Sequence, residues 1–195
     1  MIAIIDYGCG NLRSVENALG RLGCEYRLTA DPAVFTAADK VLLPGVGSAK
    51  AAMDRLRELG LCESIRGLRR PVLGICVGMQ VMCRDSEEGP TDGLDIFDAH
   101  VRKFDPSPEA KVPHMGWNRL GNLDGKLFKG MKGGEYVYFV HSYYAGLCQD
   151  TVATCKHGDT LFSAALRYEN FYGTQFHPEK SGEVGETVLK NFLAL

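Results

Sequence analysis

The sequence predicts an α/β fold: a mainly parallel central sheet with helices on both faces, and extra antiparallel strands in the C-terminal half. Three observations lead there. Short apolar runs alternate with amphipathic helical stretches three times before residue 90, the rhythm of βαβ units. After residue 85 the texture changes to strand-like segments separated by turn residues. Between these halves the apolar run Val72 to Ile75 enters Gly74-Ile75-Cys76-Val77-Gly78, and a helical pattern follows over Met79 to Arg84. That is the cysteine form of a strand-turn-helix nucleophile elbow.

Taken in order, Ile2 to Asp6 reads as a first strand, with an acid too early for a signal peptide. Asn11 is placed to cap a helix with Leu12, Val15, Leu19 and Leu22 on one face, and Gly23 stops it. Cys24 to Leu28 is a second strand, and Asp31-Pro32 a turn or helix start. Lys40 to Leu43 is a third strand, broken by Pro44-Gly45-Val46-Gly47; Ser48 then caps a helix carrying Met53, Leu56 and Leu59. Residues 60–70 continue irregularly or helically to Pro71, and residues 88–93 form a loop. Strand-like segments follow at Ala99–Phe104, Glu135–Tyr144, Thr151–Cys155, Leu161–Tyr168 and Phe171–Phe176, and Val184 to Leu193 is a final helix. Residues 1–195 show no repeat, linker or low-complexity segment, so one domain is expected.

Composition narrows the class. A net charge of -2 gives no sign of nucleic acid or an anionic membrane as partner. No apolar run approaches the ~20 residues of a membrane span. Seven cysteines are odd in number and lack a Cys-x-x-Cys pair. A disulfide framework and a metal site are therefore not expected, and a reducing cytoplasm is.

Chemistry concentrates at Cys76. A helix N-terminus favours the thiolate, and the Val77 amide would point at an oxyanion formed beside the sulfur. The same stretch also fits a strand ending in an ordinary buried cysteine. A thiol nucleophile needs a base and an orienting group. Of five histidines, His177 follows a strand-like run and opens His177-Pro178-Glu179. An extended chain would put His177 and Glu179 on one side; a turn histidine at a strand end is the alternative. Gln80 lies one helical turn beyond Cys76, facing either substrate or solvent. The glycines of Pro44-Gly45-Val46-Gly47 would let backbone N–H groups approach an intermediate, or simply form a tight turn. His141 reads as a strand histidine hydrogen-bonded in the core, with a substrate-side position as the alternative.

Gly74-Ile75-Cys76-Val77-Gly78-Met79-Gln80, followed about a hundred residues later by Gln175-Phe176-His177-Pro178-Glu179, resembles the class I (triad) glutamine amidotransferases. Five further stretches are similar to that family's glutaminase subunits of imidazole glycerol phosphate synthases. They are Asp6 to Leu12, Pro44 to Gly47, Pro113-His114-Met115-Gly116-Trp117-Asn118, Tyr138 to Tyr143, and Lys180-Ser181. Cys9 departs from a commoner methionine, and Val77 from a commoner leucine.

The resemblance implies a catalytic triad of Cys76, His177 and Glu179, with oxyanion donors from Val77, Val46 and Gly47. It implies L-glutamine as substrate, near Gly45, Gln80, Ser142 and Tyr143, and no cofactor or metal. It implies ammonia transfer to a separate (β/α)8-barrel cyclase subunit in a heterodimer. Asn11, Trp117, Tyr136, Tyr138 and Lys180, with the Tyr7–Asn11 loop, would meet that partner, and the Val46–Gly47 peptide would reach its active arrangement only in the complex. Alternatives are an amidotransferase subunit for anthranilate, aminodeoxychorismate or pyridoxal phosphate synthesis, a thiol peptidase-like or stress protein, and a non-catalytic relative. The Pro113–Asn118 segment argues against the first. Val77, in place of a histidine after the cysteine, argues against the second, and the complete Cys, His, Glu set against the third.

Overall fold

The computed structural model describes residues 1–195. The apolar runs that carry no alternation become strands buried on both faces: β1 (Ile2–Ile5), β3 (Lys40–Gly45) and β4 (Val72–Cys76). Such strands belong inside a parallel sheet covered by helices. With β2 (Tyr26–Thr29) and β13 (Phe171–Thr174) they form a parallel block, and β12 (Thr160–Tyr168) and β11 (Thr151–His157) extend it antiparallel. The order across this seven-stranded sheet is β11-β12-β13-β4-β3-β1-β2. Residues brought together from opposite ends of the chain thus flank the central strand β4.

The connecting helices are α1 (Leu12–Arg21), α2 (Pro32–Ala37), α3 (Ala49–Glu58) and α4 (Cys62–Arg66), and α6 (Gly182–Leu193) closes the chain. Ser48 caps α3 by accepting from the Ala51 N–H at 3.2 Å, and Asp31 caps α2 through Ala33 at 2.9 Å. Asn11 occupies the cap position of α1 but makes no capping bond with its side chain. One continuous apolar core runs from Ile2 to Phe192.

The middle of the chain differs most from the expectation. The elbow helix α5 spans only Val77–Gln80, and Cys83–Ser86 is a strand, β5. The cause is tertiary. Residues 93–97 fold back over the end of α5, where the Leu94 N–H donates to the Val81 carbonyl at 2.7 Å and the Gly93 N–H to that of Arg84 at 2.7 Å. A Cβ on Gly93 would lie 2.1 Å from the Cys83 oxygen, so only glycine permits that approach. The loop read over residues 88–93 contains a short strand, β6 (Thr91–Asp92). With β7 (Phe97–Lys103) and β10 (Tyr143–Ala145), these make a second sheet ordered β10-β7-β5-β6. The segment from Glu135 divides into β9 (Tyr136–His141) and β10. β9 pairs antiparallel with β8 (His114–Arg119), which sequence pattern alone did not mark as a strand.

Candidate active site

The site starts from backbone strain. Cys76 ends β4 with φ 56° and ψ -111°, a conformation that costs a non-glycine residue about 1–3 kcal/mol. The turn aims its side chain into a pocket of about 280 Å³ lined by Val77, Val46, Gly47 and His177. The flanking glycines follow from close packing. A Cβ on Gly78 would sit 1.8 Å from the Leu43 carbonyl oxygen, and one on Gly74 2.6 Å from the Gly78 oxygen. Gly45, expected at the substrate, pairs with Cys76 across β3 and β4 and does not line the pocket. A Cβ there would meet the Gly78 nitrogen at 2.6 Å, so this glycine lets the elbow seat on the sheet.

His177 reaches the pocket from β13, the other neighbour of β4. It precedes a 3-10 turn, Pro178–Lys180, and that turn folds Glu179 back so that its Oε1 lies 2.8 Å from His177 Nδ1. The pair is therefore joined by a helical turn and not by the extended chain expected. Both side chains are only 2% exposed. His177 Nε2 is buried without a hydrogen-bond partner, and the ring lines the pocket beside Cys76. Burial by itself pushes the imidazole pKa down; Cys76 and Glu179 on either side outweigh it and raise the pKa to about 10. The turn is pinned by Ser181, whose Oγ donates to the His177 carbonyl at 2.7 Å and accepts from the Tyr138 N–H at 2.9 Å.

Val46 and Gly47 leave the sheet just above the elbow, with Gly47 at φ 91° and neither N–H donating within the protein. The opposite wall consists of Val140, His141, Ser142 and Tyr143 with Pro113. Gln80, read as either solvated or substrate-facing, is buried at the pocket edge, its Nε2 donating to the Tyr143 carbonyl and to Gln175 Oε1, both at 2.9 Å. Gln175 in turn points its Nε2 at Cys76 Sγ, 3.6 Å away. Gln175 stands within the second motif, but nothing in the sequence pattern assigns it a role. Sequence pattern also misses Glu88, the carboxylate that lines the pocket and accepts from the Ala49 N–H at 2.8 Å. Burial raises the Glu88 pKa, against that hydrogen bond. A glutamate in a polar turn carries no sequence signal; its two-residue separation from Ser86 or Pro90 means nothing until the loop folds over α3.

The residues expected at a partner surface occupy one side of the molecule. Trp117 is 55% exposed on β8 and Tyr136 48% exposed on β9. Trp117 meets Tyr138 edge-on at 6.1 Å, and exposed Lys180 lies 6.0 Å over the Tyr138 ring. Asn11 begins α1, which packs on the same 3-10 turn. Tyr7, by contrast, is core: 1% exposed, it donates to the Pro44 carbonyl at 3.0 Å and supports the turn above it. No helix is long and apolar enough to cross a membrane.

An α/β sheet that lifts a thiol beside a His–Glu pair defines a class of thiol-nucleophile enzymes, and comparison with known proteins narrows it. The class-I glutamine amidotransferase family profile matches residues 3–195. The chain belongs to the class-I glutamine amidotransferase family. It is 54% identical over 195 residues to the imidazole glycerol phosphate synthase subunit HisH of Bacteroides thetaiotaomicron, covering 100% of this chain and 99% of that one. It is 48% identical over 196 residues to the HisH subunit of Escherichia coli K12, with the same coverage. A solved glutamine amidotransferase shares the fold at a TM-score of 0.75 and 19% identity, covering 100% of this chain and 98% of that one. A glutamine amidotransferase from Thermotoga maritima does so at 0.63 and 17%, covering 99% and 82%.

Proposed function

We propose that this chain, acting as one domain over residues 1–195, is the glutaminase subunit of an imidazole glycerol phosphate synthase and serves histidine biosynthesis. The observation that carries the reading is the placement of Cys76 beside a buried His177–Glu179 pair in a pocket of amino-acid size. Full-length identity of 54% and 48% to subunits of that synthase supports the particular acceptor.

In this reading Cys76 Sγ attacks the side-chain amide carbon of L-glutamine. The oxyanion that forms accepts from the Val77 N–H and from the Val46 or Gly47 N–H. A donor of this kind is worth roughly 3–4 kcal/mol in the transition state. His177, held protonated near neutral pH by its neighbours, gives its proton to the departing ammonia, while Glu179 fixes the ring through Nδ1. The freed Nε2 then takes a proton from water, which splits the thioester to glutamate. Gln80, Ser142 and Tyr143 line the pocket around the substrate, and Glu88 supplies the negative charge that suits an α-ammonium group.

The ammonia passes to a separate cyclase subunit built as a (β/α)8 barrel, which binds the face carrying Trp117, Tyr136, Tyr138, Lys180 and Asn11 as a heterodimer in the cytoplasm. Exposed aromatic side chains next to a lysine suit such an anchor. The test is glutamine hydrolysis by the purified chain, alone and mixed with the cyclase subunit and its nucleotide ligand. Turnover should rise sharply with that cyclase and not with an anthranilate synthase subunit. Equal stimulation by both, or by neither, would overturn the assignment of the acceptor.

A further inference from the structure

Two histidines that the proposed chemistry does not use form a directed hydrogen-bond chain with the site. Tyr143 offers a carbonyl, which can only accept. His141 Nδ1 lies 2.7 Å from it and must therefore carry the hydrogen. At the other end Asn118 is oriented by backbone: its Oδ1 accepts from the Arg119 N–H at 2.8 Å, and its Nδ2 donates to the Lys156 carbonyl at 2.9 Å. The second Nδ2 hydrogen then points at His114 Nε2, 3.1 Å away, so that nitrogen accepts. His114 must carry its hydrogen on Nδ1, which donates to His141 Nε2 at 2.9 Å. Every donor meets an acceptor only if both rings are neutral and both are Nδ1–H tautomers. Burial, together with neighbouring histidines, pushes His141 down to about 3 and His114 to about 4.

The chain does not end at Tyr143. The same carbonyl accepts from Gln80, Gln80 also donates to Gln175, and Gln175 donates to the Cys76 sulfur. At the far end, His114 and Asn118 are inward-facing residues of β8, and Trp117 between them faces outward, 55% exposed. The structure assigns His114 and His141 as positioning residues. They hold the Tyr143 carbonyl, and through it the Gln80 and Gln175 amides, in register with the thiol, and they tie that register to strand β8. A displacement of β8 at its outer surface would therefore be felt at Cys76. This inference rests on the amidotransferase reading above, and it extends that reading to His141 in the pocket wall and to His114 behind it.

Two measurements test it. In the wild-type chain, long-range 1H–15N spectra should show both rings neutral and Nδ1-protonated at pH 6. An Nε2–H tautomer or a protonated ring in either would overturn the chain without any variant. In the complex with the cyclase subunit and its nucleotide ligand, His114→Phe and His141→Phe keep an aromatic ring but lose the bonds. Each should lower kcat/KM for glutamine about tenfold, mostly through KM, and slow iodoacetamide alkylation of Cys76 about threefold. His114→Asn keeps a donor where Nδ1 stood and should stay within about twofold of wild type on both. Folded phenylalanine variants with wild-type KM and alkylation, or an asparagine variant as impaired as phenylalanine, would sink the proposal. Should those variants not fold, the wild-type spectra decide. A wild-type complex with the cyclase subunit and its nucleotide ligand that hydrolyses no glutamine would instead defeat the functional reading, and the tautomers would still report on the chain.

Discussion

The pocket has two walls, and each buries histidine, yet in opposite charge states. On the wall built from β3, β4 and β13, His177 stands beside a carboxylate and a thiol, and its pKa rises to about 10. On the wall built from β8 to β10, His114 and His141 meet only neutral donors and carbonyls, and their pKa values fall to about 4 and about 3. Burial disfavours the charged ring in all three. What separates them is the partners: the Cys76 thiol on one side and a carboxylate held 2.8 Å away on the other together overturn the burial penalty, while an imidazole, an amide or a carbonyl leaves it in force. One wall is thus equipped to give up a proton and the other to keep a fixed hydrogen-bond pattern.

The most severe way to break this contrast is Cys76→Ala. Glutamine hydrolysis should fall at least about 10⁴-fold, while added ammonia still supports synthesis in the complex; surviving glutamine-dependent synthesis would refute the nucleophile. Glu179→Gln removes the charge that distinguishes the first wall. Turnover should drop on the order of 10³-fold, and the His177 titration, followed by NMR, should move to lower pH. An unmoved titration would mean that Glu179 is not the controlling neighbour. Gly78→Ala attacks the backbone on which that wall stands. With a Cβ 1.8 Å from the Leu43 oxygen, it should cost about 3 kcal/mol in urea unfolding. Gly20→Ala, where nothing lies within 4 Å, should instead gain roughly 0.5–1 kcal/mol.

The contrast also sets a pH profile. The pKa of an unperturbed histidine is about 6.5. For His114 and His141 the folded values lie below it, so the unfolded chain binds more protons as pH drops. Their contribution is complete above about 6.5 and is lost as pH falls toward 4 and 3. For His177 the folded value lies above, so its contribution is complete below about 6.5 and is lost as pH rises toward 10. Stability should therefore decline on both sides, with the melting temperature lower at pH 4.5 than at pH 6.5 by on the order of 5 °C. His114→Asn should flatten the acid limb and leave the alkaline one. The smallest effect belongs to Trp117→Ala on the outer surface of the second wall. At 55% exposure it should change unfolding free energy by less than about 0.5 kcal/mol, while weakening association with the cyclase as measured by titration calorimetry.

The two walls also differ in how far they could be read in advance. Around the first, local rules go far: a continuous apolar run makes a doubly covered strand and glycines at both flanks of a cysteine make an elbow, but the helical turn after His177 stands where extended chain is expected. The extent of α5 is not legible locally, because the segment that stops it, residues 93–97, is remote from any pattern within Met79 to Arg84. Around the second wall the strand-like segment Glu135–Tyr144 was legible, and β8 and Glu88 were not. β8 holds His114, Asn118 and a glycine among exposed apolar residues, a run with no dominant alternation, and Glu88 sits in a loop like any other.

The sequence by itself determined that one cysteine stands at a strand-to-helix corner and that one histidine follows a late strand, since apolar period, glycine spacing and turn residues act over a few neighbours. Only the tertiary structure decided the company they keep. That Gln175 turns to the thiol and that Gln80 reaches both Tyr143 and Gln175 depend on contacts between residues 63 to 99 positions apart. That Glu179 meets His177, and with Cys76 raises its pKa, depends on a helical turn in place of extended chain. Charge state and hydrogen-bond direction are properties of those contacts, and no single stretch of the chain contains them.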